Sequence, residues 1–339
     1  MSLSSARRPP TASREPGFRD GAGGALGAAF DRQQWAVVLG GSSGFGLATA
    51  HKLAAHGLNL CIVHRDRRGA RARIEPEFRR LRERGVSLLA INADALAPER
   101  RAEILDRLAQ AMGPEGRVRV LLHSIAFGNL KLIAPQRPPA RNARRRLAAE
   151  LAIDEDRLAQ VADKLFAEGC DELHALASPP VYSRSYLDDE DVARTVHAMG
   201  TSLLDWTQDL LGRGQFAPDA RVFGLTSEGN TVAWKGYAAV AAAKAALESV
   251  SRAIAVELAP YGVRCNVVQA GVTATPALAA IPGSDHLKAQ ARLRNPFRRL
   301  TTPADVANVI YLLSTDEAAW INGEVIRVDG GEHVAGATS

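Results

Sequence analysis

The chain has 339 residues, with 42 Lys plus Arg against 37 Asp plus Glu, a net charge of +5, and is 46% hydrophobic and 23% charged. These globular proportions exclude a wholly disordered or fibrous chain, and the length admits two domains or one large α/β domain with additions. Three cysteines (Cys61, Cys170, Cys265) are too few and too scattered for a disulfide framework or a zinc site, and the eight histidines form no cluster. Cys170 and His174 lie i,i+4 on an expected helix, but two ligands fall short of the usual three or four, so no metal is expected. The apolar runs all stop well short of the roughly 18 residues of a transmembrane helix. Residues 1 to about 32, rich in Arg, Pro, Gly, Ala and Ser, lack the apolar core of a secretory signal and read as a disordered tail. Glu15 and Asp20 argue against a transit peptide, so a cytoplasmic protein is expected.

From Trp35 apolar runs alternate with amphipathic stretches. WAVVLG (35–40) predicts a buried strand and 44–56 a helix; LNLCIVH (58–64) is a second strand and 69–84 a charged helix. VSLLAINAD (86–94) is a third strand, followed by a helix near 99–112, and VRVLLHS (118–124) a fourth. Later come a helix at 188–213, RVFGLTS (221–227), an Ala-rich helix at 236–259, VRCNVVQA (263–270), a helix at 303–314 and EVIRVDGG (324–331). Apolar strands alternating with helices predict an α/β fold, a doubly wound parallel sheet of Rossmann type covered on both faces. Residues 33–334 are expected to form one such domain with a helical insertion at about 131–187. In that insertion Pro135, Pro138 and Pro139 precede a basic run, Arg141, Arg144, Arg145 and Arg146. Residues 153–177 have helical periodicity, with Ile153, Leu158, Val161, Leu165 and Phe166 on one face, Asp154 as cap, and Pro179 and Pro180 as stop.

The first strand runs into GGSSGFG (40–46) at a strand-to-helix junction. Gly40 allows a tight turn, Gly44 lets backbone approach a pyrophosphate, and Gly46 lets the helix pack closely. The phosphates would meet free N–H groups and the positive end of the helix dipole, so this is a dinucleotide site. Ser42, Ser43 and Phe45 belong to the same loop. An NAD enzyme places Asp or Glu about 20 residues past these glycines, on the ribose 2′-hydroxyl. Here that place holds His64 and Arg65, with Arg67 and Arg68 behind them, and arginine suits a 2′-phosphate. NADPH is therefore expected over NADH. Asp66 keeps a second reading open, since a one-residue shift would bring a carboxylate to the ribose. Asp94, with Ala95 after it, ends the third strand, either to contact adenine or as a turn residue.

The Ala-rich helix begins near Tyr237, and Lys244 lies two turns on, on nearly the same face. A nearby ammonium would lower the phenol's pKa, ordinarily about 10. A Tyr and a Lys at this spacing also occur on many helices, so spacing alone does not decide the matter.

Together the glycines, Asp94, the Tyr–Lys pair and PADVANVIYLLSTDEAAWINGEVIRVDGG (303–331) resemble the short-chain dehydrogenase/reductase superfamily. Within it, Tyr237-x6-Lys244 resembles the enoyl-acyl-carrier-protein reductases; ordinary members use Tyr-x3-Lys, which would need Tyr at Val240. HSIAFG (123–128) resembles the enoyl reductase form of the fourth-strand motif, and AGVTATPAL (270–278) the loop around nicotinamide and substrate. The resemblance implies hydride delivery to the β-carbon of an enoyl thioester, with Tyr237 stabilising the enolate. It implies that Lys244 binds the nicotinamide ribose, and that Ser124, Ile125 and Ala126 line the nicotinamide pocket. Ala270, Gly271, Val272, Thr273 and Thr275 would complete the cofactor site, and Phe127, Gly128, Tyr237 and Leu278 would face substrate. Two departures leave the substrate open. Ser227 stands where many enoyl reductases have a second Tyr and where ordinary members keep a catalytic Ser, so it joins Tyr237 and Lys244 as a catalytic candidate. His197 stands where ordinary members usually have Asn.

The insertion leaves the sheet at the carboxyl ends of the strands, where ligands sit, so a helical lid or wall over substrate is expected. The segment 131–146 holds six cations (Lys131 and five Arg) and no acid, so the remainder of the chain nets −1. This run could dock an acidic carrier protein or be a solvated loop. It lacks aromatic interleaving, which argues against nucleic acid. The small-residue helix and the resemblance imply a homo-oligomer, a tetramer or dimer. Three functions follow: NADPH-dependent reduction of an enoyl thioester on an acyl carrier protein or CoA, in fatty-acid or polyketide metabolism; carbonyl reduction by an atypical short-chain member; or a nucleotide-binding protein without catalysis.

Overall fold

The computed structural model describes residues 30–137 and 142–336. Seven strands form one parallel sheet in the order β3-β2-β1-β4-β5-β6-β7. They are β1 Gln34–Leu39, β2 Asn59–His64, β3 Leu88–Asn92, β4 Arg117–His123, β5 Phe216–Ser227, β6 Val263–Ala270 and β7 Val325–Val328. Side chains alternate along each strand. In β1, Trp35, Val37 and Leu39 enter one core and Ala36 and Val38 the other. The first core is closed by α3 (Pro98–Met112), α7 (Ser202–Gly212) and α8 (Ala238–Glu257). The second is closed by α1 (Gly44–Ala55), α2 (Arg71–Arg82) and α11 (Pro303–Ser314). Both faces are covered, which is why the central strands read as unbroken apolar runs. The chain order reverses between β1 and β4, and that switch point opens the ligand crevice at the strands' carboxyl ends.

The elements follow the sequence, with several differences. β5 begins at Phe216, five residues before the expected start, and its register with β4 shifts between Val118 and Val120. The helix expected over 188–213 is α6 (Asp189–Val196), a π-turn at His197–Thr201, then α7. In the π-turn a Cβ on Gly200 would lie 2.7 Å from the Ala243 carbonyl oxygen, so the break is where this helix closes on α8. Two helices, α9 (Pro276–Ala279) and α10 (Ser284–Arg294), lie where none was expected. Phe30, assigned from sequence to the tail, is buried edge-on to Tyr311, so the ordered domain includes residues 30–32; residues 1–29 lie outside the described part.

The segment 131–187, expected as a helical insertion, carries two α-helices among its described residues. It folds as α4 (Asn142–Glu150), α5 (Glu155–Ala167) and a 3-10 turn at Asp171–Ala175, with Leu132 bridged to Tyr186 at its base. Asp154 caps α5 through the amides of Asp156 and Arg157. The helix expected to continue to 177 stops at Ala167, because Gly169 takes a positive φ of 103°. Cys170 and His174 therefore do not share an α-helix, and no metal-binding cluster of His, Cys, Asp or Glu occurs among the described residues. Of the apolar stripe, Leu158 is buried while Ile153, Val161 and Leu165 are exposed. The basic run is also not a uniform patch. Arg144 is buried and donates to the Ala177 carbonyl (3.2 Å), and Lys131 pairs with Asp191 (2.5 Å). Arg145 and Arg146 are exposed, whereas Pro138, Pro139 and Arg141 fall outside the described residues.

Candidate active site

Gly40 has a φ of +81°, and a Cβ there would sit 2.3 Å from the Ser124 carbonyl oxygen. A Cβ on Gly46 would sit 2.4 Å from the Gly40 carbonyl oxygen. Glycine at both positions lets α1 begin hard against the ends of β1 and β4. The Ser43 side chain makes no capping bond, and the first turn of α1 carries no acid. Its amides therefore remain available to an anion at the positive end of the helix.

A cleft of about 370 Å³ leads away from this turn, lined by Gly40, Ser42, Ser43, His64, Arg65, Asp66, Asp94, Ala95 and Phe127 among others. Arg65 reaches across it to Asp94 (2.9 Å) and lies 4.4 Å above the Phe127 ring. Phe127, expected against substrate, lines this cleft, with its ring beneath Arg65. Asp94 pairs with Arg65 and also accepts from the Leu96 amide (3.0 Å), as a turn residue does. Asp66 is held by His64 (2.9 Å) and faces Arg73 (3.5 Å). Arg73, which also donates to the Ser42 carbonyl (2.9 Å), escaped the sequence reading because it lies on the following helix. The uncapped amides, the glycine cradle and an exposed cation in the cleft together fit a dinucleotide.

The cleft opens at Ser124, Ile125 and Ala126 into a mainly apolar cavity of about 220 Å³. Here the fold assembles Phe45, Gly128, Ser227, Tyr237, Lys244, Ala270, Gly271, Val272, Thr273, Thr275 and Leu278. Gly44 and Gly46 line neither space, and shape the loop from behind. Leu130, Met199, Trp234, Val240 and Ile281 also line the cavity, as does Glu228; the five apolar ones were not singled out from sequence because they lie on five separate segments with no local signal, and Glu228 because its partner Arg294 is 66 residues away. His197 lies outside the cavity lining and is exposed on the π-turn rather than packed. None of the described residues of 131–187 lines the cavity, so the insertion is not its wall. Ala277, Leu278, Ala280 and Ile281, on α9 and just after it, line it instead.

Tyr237 precedes the first residue of α8 and is 8% exposed. Its hydroxyl shares a hydrogen bond of 3.2 Å with Ser227 Oγ, and Trp234 packs edge-on at 5.3 Å. A Cβ on Gly229 would lie 2.5 Å from Cε1 of Tyr237, so the ring needs glycine there. Burial raises the Tyr237 pKa, opposed by the Ser227 hydrogen bond. This reverses the expectation of a lowered pKa. The Lys244 ammonium is turned away, donating to the Leu225 carbonyl at 2.7 Å, and burial pushes Lys244 down to about 8, opposed by Glu248. His123 is pushed down to about 3 by burial and the nearby Lys244, so it stays neutral beside Ser202 (2.8 Å). The site thus presents a neutral phenol as a hydrogen-bond donor and a buried cation two turns behind it.

The family profile described as enoyl-(acyl carrier protein) reductase matches residues 156–333, and that of short chain dehydrogenase matches residues 34–135. The chain belongs to the short-chain dehydrogenase/reductase superfamily. It is an NAD(P)-dependent oxidoreductase of that superfamily, resembling the enoyl-acyl-carrier-protein reductases. It is 26% identical to a cis-4-hydroxycyclohexanecarboxylate dehydrogenase of Sinomonas cyclohexanicum, over 90% of this chain and 98% of that one. It is 35% identical to the NADH enoyl-acyl-carrier-protein reductase of Salmonella typhimurium, over 46% of this chain. The match spans 52% of that reductase, about half its length. Among solved structures it is similar to an enoyl-acyl-carrier-protein reductase of Anaplasma phagocytophilum in complex with NAD (TM-score 0.65, 18% identity, 92% of this chain and 96% of that one). It is likewise similar to a short-chain dehydrogenase of Burkholderia cenocepacia in complex with NADP (TM-score 0.62, 23% identity, 89% and 98%). These likenesses fix the short-chain reductase fold.

Proposed function

We propose that this short-chain reductase uses NADPH to reduce the carbon–carbon double bond of an enoyl thioester. The observation that carries the reading is the buried Tyr237 side chain lining an apolar cavity, seven positions before Lys244. When bound, the reduced nicotinamide would supply a hydride to the β-carbon, and a proton from solvent at the α-carbon would complete the saturated thioester. Tyr237 donates a hydrogen bond to the thioester oxygen, where enolate charge develops, and a phenol that keeps its proton is suited to that task. Lys244 would hold the ribose hydroxyls and adds positive potential behind Tyr237. Ser124, Ile125, Thr273 and Thr275 hold the nicotinamide end, the first-turn amides of α1 the pyrophosphate, and Arg65, with Arg73 near it, a 2′-phosphate. The pairing of Asp66 with His64 supports NADPH over NADH, because the carboxylate is already engaged. Gly128 and Leu278 border the acyl chain.

The protein is read as a cytoplasmic homo-oligomer, a tetramer or dimer. Trp320 at 95% exposure and the outer face of α8 at Ala242 and Ala245 support this. The exposed Arg146, and Arg145 beside it, which also faces Glu155 (3.8 Å), are the surface cations of the run offered to an acyl carrier protein.

Carbonyl reduction is the second reading. It is favoured by the Ser227–Tyr237 hydrogen bond, which provides two hydroxyls for one carbonyl oxygen, and by the similarity over 90% of this chain to a cis-4-hydroxycyclohexanecarboxylate dehydrogenase. One experiment separates the readings. Loss of NADPH absorbance with crotonyl-CoA or a longer enoyl thioester is the expected result. Loss only with a β-ketoacyl thioester transfers the protein to the second reading. Loss with neither, despite NADPH binding, supports a nucleotide-binding protein without this catalysis.

A further inference from the structure

The insertion that does not line the cavity grips the helix that follows Ala277, Leu278, Ala280 and Ile281 of its lining. Asp171, in its 3-10 turn, takes both Nε (2.5 Å) and Nη2 of Arg292 on α10 in a bidentate pair. The carboxylate is 13% exposed and the guanidinium 33%, so the pair is partly withdrawn from water. At the other end of α10, Gly283 has a φ of +78°, and a Cβ there would lie 2.5 Å from Cγ of Pro180. Between these ends, the Phe166 ring meets His286 at 5.0 Å. Three contacts spaced along one helix constrain its rotation as well as its distance.

The inner side of α10 is tied to the cavity. Arg294 Nη2 pairs with Glu228 (2.6 Å), which lines the cavity next to Ser227, and with Glu332 (2.9 Å). The chain from Asp171 to Arg292 to Arg294 to Glu228 joins the insertion to the catalytic end of β5 through one helix. The insertion itself is internally pinned, with Asp163 accepting from the Ser178 amide (2.6 Å) and hydroxyl (2.7 Å), so it resists a pull.

We propose that the insertion is a brace that holds the lid segment 276–294 closed over the cavity, and that Asp171 is its positioning residue. Bidentate Arg–carboxylate pairing fixes geometry as well as adding energy, and a lid held closed needs less ordering when substrate arrives. The brace rests on the enoyl-thioester reading for its kinetic test alone.

The test uses the full-length protein with Asp171→Asn, Arg292→Lys and the exchange Asp171→Arg with Arg292→Asp. Hydrogen exchange across 276–294 is expected to quicken about tenfold in Asp171→Asn, with the β1–β4 strands unchanged. The KM for crotonyl-CoA is expected to rise about tenfold while kcat stays within about twofold, because saturating substrate re-closes the lid. Arg292→Lys, which keeps the charge and loses the fork, is expected to fall between. The charge exchange is expected to recover part of both losses. Unchanged exchange at 276–294 in both single variants overturns the brace, as does a rise spread evenly over the domain, which marks a general loss of stability. If no enoyl thioester is reduced, the functional reading falls, and the exchange measurement still decides the brace.

Discussion

Lys244 offers a test that needs no substrate. Its ammonium is 7% exposed and has one hydrogen-bond acceptor, the Leu225 carbonyl at 2.7 Å. Burial lowers its pKa from 10.5 to about 8. Each unit is worth about 1.4 kcal/mol, so keeping this cation inside costs about 3 kcal/mol of folding stability at pH 7. Because the folded pKa lies below the unfolded one, the unfolded chain holds more protons between pH 8 and 10.5. Stability therefore rises with pH through that window as the penalty is relieved. Lys244→Met removes the penalty and leaves the Leu225 carbonyl without its donor, a loss of about 1 kcal/mol. The variant is expected to be about 2 kcal/mol more stable than the parent at pH 7, with the difference gone near pH 10. Urea titrations at pH 7, 8, 9 and 10 with a common slope measure this. A Met variant less stable than the parent at pH 7, together with a parent whose stability is flat from pH 8 to 10, would refute the reasoning. The same variant is expected to lose NADPH affinity, measured by nicotinamide fluorescence, so stability and binding move in opposite directions.

Tyr237→Phe is expected to fold and bind NADPH normally, with enoyl reduction falling about 100-fold or more as one oxyanion donor is lost; full activity in single-turnover assays excludes the assigned role. Arg65→Ala is expected to weaken NADPH about tenfold and leave NADH nearly unchanged, since a half-exposed guanidinium recovers only the lower part of a charge-assisted bond; calorimetry with both nucleotides reads this directly. Asp219 sits among Arg119 (2.5 Å), Arg221 and Arg264, and Arg221 is fully buried. Asp219→Asn is expected to cost about 3 kcal/mol in urea titrations, because it strands a buried cation far from the active site; a loss under about 1 kcal/mol would show that Asp316 and backbone carbonyls suffice.

The sequence by itself determined the sheet, the glycine turn and the Tyr–Lys helix. These rest on short-range regularities: apolar strand runs, a cap such as Asp154, and side-chain direction along one helix. It also placed a helix behind Asp154, where α5 forms. The tertiary structure decided what depends on burial and on distant partners. Only packing shows that burial raises the Tyr237 pKa, opposed by the Ser227 hydrogen bond. Only packing takes Phe127 to the nucleotide cleft beneath Arg65, ties up Lys131 and Arg144 in a run that reads as free charge, and seats the insertion on α10 instead of over the cavity. Asp171 and Arg292 lie 121 residues apart, and no local pattern in either segment anticipates the pair that joins them.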